Sequence, residues 1–147
     1  MTRIGPDRWM AGSSVGVMQL DDVDQAIIGN STGVLATIDA AGRPQLTIVW
    51  FIIRDGHVLI SINATRQKLR NLRANCDVSF LIAHPDTDDF FAEIRGTAEL
   101  VPDHDYAVAD VIGEKYDADF RSFDRPDDGR FIVDITPTKV LVTDVRS

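Results

Sequence analysis

Residues 33–62 read GVLATIDAAGRPQLTIVWFIIRDGHVLISI. Three runs of apolar and β-branched residues are separated by two turn signals, AAGRP and RDG. Short Gly-, Asp- and Pro-containing breaks between such runs are the mark of β-hairpins. The pattern predicts strands near 33–39, 45–54 and 57–62. The middle run is apolar on both faces: Leu46, Ile48, Trp50 and Ile52 alternate with Thr47, Val49, Phe51 and Ile53. In an antiparallel sheet such a strand needs cover on both sides, core on one and a partner subunit, a ligand or a helix on the other.

Working outward, residues 65–75 suit a short helix, with Leu69, Leu72 and Cys76 on one stripe. Residues 77–83 and 90–101 are strand-like and flank the polar loop HPDTDD; Ala92, Ile94, Ala98 and Leu100 face one way. Asp103 to Tyr116 reads as a helix capped by Asp103, with Asp105 in its first turn. A turn follows at DRPDDG, then strands at 131–134 and near 140–143. Upstream, Asp21 to Ile28 suits a short amphipathic helix stopped by Gly29 and Asn30. Six or seven strands joined by hairpins, with short helices inserted, point to a mainly β fold and an antiparallel barrel rather than a doubly wound parallel sheet. The expected organisation is a flexible arm over 1–20 and a single domain over 21–147.

With 147 residues, 44% of them hydrophobic, the chain can bury one ordinary core. A formal net charge of −8 argues against non-specific binding to nucleic acid or anionic membranes. Cys76 is the only cysteine, so no intramolecular disulfide is available. No run approaches the ~20 apolar residues of a membrane helix. The mildly apolar WMAGSSVGVMQL is too rich in Gly and Ser for a good signal peptide, and the expected location is cytoplasmic.

Against that acidic background, residues 61–73, SINATRQKLRNLR, carry Arg66, Lys68, Arg70 and Arg73 and no acid. The chain is free of acids from Gly56 to Cys76. With a helix starting near 63–65, Arg66 and Lys68 fall in its first turn. Cations are disfavoured there, because the unpaired N–H groups are already positive. An anion at that helix start removes the conflict, and phosphate is the natural candidate. Ser61, Asn63 and Thr65 add short polar side chains beside it. Arg70 and Arg73, further down the helix, are assigned mostly to solvent or to a longer anionic tail. No GxxxxGK[ST] or GxGxxG is present, so the site is not a familiar nucleotide loop.

GVLATIDAAGRPQLTIVWF, LISINATRQKLRNLR and EIRGTAEL, taken in this order and spacing, resemble the pyridoxamine 5′-phosphate oxidase-like split-barrel family. The likeness is greatest to its flavin- and deazaflavin-dependent oxidoreductase branch and covers about residues 20 to 145. It implies a six-stranded antiparallel split β-barrel of the FMN-binding type, a homodimer with cofactor sites at the interface, and coenzyme F420 or FMN as cofactor. The spelling TRQKLRNLR favours F420. By the same resemblance Thr47, Val49 and Trp50 lie along the ring. Arg66 and Lys68 bind the phosphate, helped by Ser61, the Ile62 backbone and Thr65. Phe90 and Phe91 supply aromatics near the ring. For each aromatic, plain core or dimer packing is the competing reading.

The implied reaction is hydride transfer to or from a small organic acceptor. The cofactor carries that chemistry, so no catalytic side chain is nominated. A non-catalytic carrier of flavin, haem or another planar ligand on the same barrel is the alternative. Other chemistries find little support. His57, His84 and His104 lack ligand spacing, and there is no HExxH, GxSxG or calcium-loop pattern.

Overall fold

The computed structural model describes residues 14–17, 19, 20, 23 and 32–145. The helix expected over Asp21–Ile28 lies, apart from Val23, outside them. So does most of the arm expected over 1–20, within which Ser14–Val17 form a strand.

The strands are β1 (Ser14–Val17), β2 (Gly33–Ile38), β3 (Pro44–Val49), β4 (Phe51–Arg54), β5 (His57–Asn63), β6 (Asp77–Ala83), β7 (Phe90–Pro102) and β8 (Arg130–Asp144). All pairing is antiparallel, in the order β3-β2-β6-β7-β8-β5-β4, with β1 added to the far end of β8. The helices are α1 (Gln67–Ala74) and α2 (Ala107–Tyr116), with 3₁₀ turns at His104–Tyr106 and Phe120–Phe123. Neither α1 nor α2 is long and apolar enough to cross a membrane.

Both hairpins form where their turn residues place them. Asp55 and Gly56 take φ of 52° and 77°, the left-handed pair that a two-residue turn between twisted strands requires. At the first turn, Asp39 Oδ1 accepts from the N–H groups of Ala41 and Arg43, each at 2.9 Å.

The strand expected over 45–54 is two strands. β3 pairs with β2, and β4 pairs with β5, at opposite ends of the sheet. Only Trp50 separates them. Because the terminal strands of the sheet are consecutive in the chain, the sheet must curl until its two ends meet, and the chain itself crosses the seam. The count also departs from the expected six strands. Eight occur among the described residues, since 45–54 divides and β1 joins, while the two expected C-terminal strands fuse into the 15-residue β8. β8 can run that long because it pairs along one edge with β7 and along the other with β5 and then β1.

The barrel interior holds Leu35, Phe51, Val58, Ile60, Phe80, Ile82, Ile94, Val133 and Ile135, all under 2% exposed. A second cluster packs α2 (Val108, Ala109, Ile112) against the outer face of the sheet at Leu59, Trp50 and Ile52. So a helix covers half of the second apolar face foreseen for 45–54. The other half stays bare, with Leu46 at 66% and Ile48 at 74% exposure.

Two helix details differ from expectation. Cys76 lies beyond α1 and is exposed. The third buried position on α1 belongs to Asn71, whose Nδ2 donates to Thr37 Oγ1 at 3.1 Å and Gln45 Oε1 at 2.8 Å. Asp103 does cap a helix, but from a distance. Its carboxylate accepts from the N–H groups of Val108 and Ala109 across the left-handed residues Asp105 and Tyr106, so α2 starts only at Ala107.

Gly96 sits at the register shift where β7 bends along β8. A Cβ there would lie 2.3 Å from the Thr136 carbonyl oxygen, a backbone atom with little room to yield. Gly96→Ala is expected to lower stability by about 1–3 kcal/mol, measured by urea unfolding. Unchanged stability would mean that the bulge slides along the strand instead.

Candidate functional site

The end of β3, the end of β5 and the start of α1 converge on a cavity of about 550 Å³. Asn71 explains the convergence, because it ties α1 to the β2–β3 hairpin through Thr37 and Gln45. Thr47, Val49, Trp50, Ser61, Ile62, Arg66 and Lys68, all expected at a site, line this one space.

The helix expected to start near 63–65 starts at Gln67, which puts Arg66 just before its first turn and Lys68 within it. Arg66 is the N-cap of α1, with extended backbone at φ −78° and ψ 147°. No side chain caps the helix, and its first turn holds no acid. Among the described residues neither Arg66 nor Lys68 has an ion pair. Burial, and then the charge of Arg66, push the Lys68 ammonium below its ordinary pKa. Two cations with no ion pair among the described residues, at a helix start with no side-chain cap, make a setting that favours an anion. Arg70 and Arg73 are engaged elsewhere: Arg70 donates to Gln67 Oε1, and the Arg73 guanidinium lies 5.4 Å from the Phe131 ring centre.

The other end is aromatic. Trp50 stacks on Tyr116 with ring centres 5.1 Å apart and planes 9° from parallel, and it meets Phe120 edge-on at 5.7 Å. Phe123, 60% exposed, lies edge-on to Phe120 and completes the lip. Beside the seam, Lys115 Nζ donates to the Phe51 carbonyl at 2.8 Å, and burial brings its pKa down to about 8.

Three expected residues are elsewhere. Thr65 is exposed and turned to Asn63, whose Oδ1 accepts from its N–H and its hydroxyl at 2.8 and 2.6 Å. Phe90 is in the core, 4% exposed, its ring 5.9 Å from that of His84. Phe91 is half-buried on β7, opposite Ala83 and Thr143.

Asn63, expected beside the helix start, also lines the cavity, as do Phe120, Phe123, Asp124 and Arg130, which sequence reasoning did not place in the site. Arg130 grips Asp124 with Nε at 2.8 Å and NH2 at 2.6 Å, and its NH1 donates to Ser61 Oγ at 3.0 Å. The Asp124 carboxylate also accepts from Tyr106 Oη at 2.7 Å and Asn63 Nδ2 at 2.9 Å. The DRPDDG segment is a turn, as expected, but its first acid is the hub of this network. Its only sequence signal is an acid and an arginine flanking the turn, which is too common to be diagnostic. Among the described residues no cluster of three or more His, Cys, Asp or Glu could hold a metal.

A family model described as pyridoxamine 5′-phosphate oxidase matches residues 20–144. A solved structure named F420 Reductase is 29% identical, with a TM-score of 0.71, over 81% of this chain and 95% of its own. A conserved hypothetical protein from Mycobacterium tuberculosis is also 29% identical, with a TM-score of 0.67, over 88% of this chain and 91% of its own. A FAD-binding protein from Mesorhizobium loti, 18% identical with a TM-score of 0.60, shares the fold over 88% of this chain and 96% of its own.

Proposed function

This chain belongs to the pyridoxamine 5′-phosphate oxidase family, and from that premise we propose that it is an oxidoreductase using coenzyme F420 or FMN to transfer a hydride to or from a small organic acceptor. One observation carries the reading: two cations with no ion pair among the described residues and an aromatic wall face the same cavity. A planar molecule with an anionic tail satisfies both ends, and few other ligands do. In this reading Arg66 and Lys68 hold the phosphate with Ser61 and the Ile62 backbone. Thr47, Val49 and Trp50 hold the ring. Bound there, the ring supplies the two-electron chemistry, while the protein orients it and excludes water. The 29% identical structure named F420 Reductase favours F420 over FMN.

The test is titration of the purified protein with each cofactor, followed by absorbance and fluorescence. Reduction and an acceptor panel come next. Saturable reoxidation supports the enzyme. Binding without turnover across the panel supports a carrier, and no binding of either cofactor overturns both the enzyme and a flavin carrier.

The bare face of β3 extends the proposal to a homodimer. Leu46 and Ile48 are the most exposed large apolar side chains among the described residues, and Ile48 also lines the cavity. A second copy on β3 would cover them and close the cavity at once. Leu46→Glu with Ile48→Glu is expected to give a monomer by analytical ultracentrifugation and to weaken cofactor binding at least 10-fold. A dimer of unchanged affinity would place the interface elsewhere.

A further inference from the structure

We infer that Arg130, held by Asp124, is a positioning residue that turns the Ser61 hydroxyl into a dedicated donor for the anionic group of the ligand; this rests on the reading proposed above. The argument begins with the inventory of one hydroxyl. A serine Oγ carries one hydrogen and two acceptor lone pairs. Arg130 NH1, at 3.0 Å, donates to Ser61 Oγ and occupies one lone pair. Among the described residues no acceptor receives the Ser61 hydrogen. Ser61 lines the cavity, so its hydrogen is free to be donated there. Donation from a guanidinium also polarises the hydroxyl and makes it a stronger donor.

Arg130 suits this task because Asp124 fixes its guanidinium in one orientation. Its side chain is 5% exposed and that of Asp124 is 3% exposed. Nε and NH2 each donate to Asp124, and that fork aims NH1 at Ser61. The Phe120 ring, 4.5 Å from the guanidinium, lies against the same group. The carboxylate in turn is held by Asn63 and Tyr106. Because Asp124 balances the charge of Arg130, the pair adds direction to the site with little net charge. The uncompensated charge comes from Arg66 and Lys68. Attraction and orientation of the anion are thus assigned to different residues.

The roles separate by comparing ligands with and without the phosphate: FMN against riboflavin, and F420 against its phosphate-free deazaflavin ring alcohol. Arg130→Lys keeps a cation beside Asp124 but cannot form the fork and reach Ser61 together. Ser61→Ala removes the donor and leaves the Arg130–Asp124 pair intact. Each variant is expected to weaken the phosphate-bearing ligand about 10-fold and its phosphate-free analogue less than about 2-fold. The double variant should be no weaker than either single one, because both remove the same hydrogen bond. Multiplying effects, or equal losses with and without phosphate, would overturn the inference. If Arg130→Lys fails to fold, Ser61→Ala still decides, since parental affinity for the phosphate-bearing ligand would overturn it. Failure of the wild-type protein to bind FMN or F420 would instead sink the functional reading itself, and the inference with it.

Discussion

Arg130→Met is expected to lower the stability of the fold by about 3–5 kcal/mol. The size follows from what the substitution leaves behind. Asp124 is nearly closed off from water, and its carboxylate takes two of its four hydrogen bonds from Arg130. Without the guanidinium a buried charge keeps only the neutral donors Asn63 and Tyr106. The exposed Arg121–Asp110 pair is the internal control. Both side chains are 49% exposed, so Arg121→Ala is expected to change stability by no more than about 1 kcal/mol. Urea unfolding of both variants checks the contrast, and equal losses would show that burial is not what sets the cost.

The same pair contributes to the acid limb of stability. Hydrogen bonds from Arg130, then from Tyr106 and Asn63, hold the Asp124 carboxyl well below the usual carboxylate range. Its folded pKa therefore lies below its unfolded value near 3.8. The unfolded state binds the proton more readily between the two. Stability from this group is fully present above the unfolded value and is lost as pH falls toward the folded one. Arg130→Met removes the first cause of the depression, so the pH-dependent part of the contribution from Asp124 should shrink. A variant with the parental slope of stability against pH in acid would contradict this.

Arg66→Glu combined with Lys68→Glu moves binding and stability in different directions. Two charge-assisted contacts to the phosphate would be lost and repulsion added, so affinity for FMN or F420 should fall by about 100-fold or more. The fold should not suffer. Neither side chain has an ion pair among the described residues, and α1 has no acid in its first turn. Glutamates there interact favourably with the helix dipole and should raise stability by a few tenths of a kcal/mol (about 0.3–1 per charge at most). Paired calorimetric titrations and melting curves measure both quantities. A double variant that binds as the parent does would remove the phosphate from this helix start. One that unfolds would show that the cations serve the fold.

That opposition of signs explains why the cationic end was legible from the sequence. Arg66 and Lys68 are two residues apart, and the conflict between a cation and a helix start is local, so no tertiary contact is needed to detect it. The aromatic end was legible only in part. Trp50 enters the expected site only through the family resemblance, whereas Phe120 and Phe123 stand on a 3₁₀ turn with no periodic pattern. Phe90 shows the reverse case. An aromatic at the start of a strand looks the same whether its ring enters a cavity or the core, and here it enters the core.

The sequence alone determined the hairpins, the antiparallel class and the basic helix start. These rest on neighbours within a few residues: the positive φ that Asp55–Gly56 accepts, the Asp39 carboxylate reaching the next backbone amides, and apolar alternation along each strand. Tertiary structure alone decided where strand 45–54 changes partners. Val49 and Phe51 are both buried, so alternation runs unbroken through Trp50 and nothing local marks the seam. It alone also brought Arg130 to Ser61, 69 residues away in the chain. A hydrogen bond across that distance leaves no spacing to read, because the β5–β8 register that makes it is set by the closure of the whole sheet.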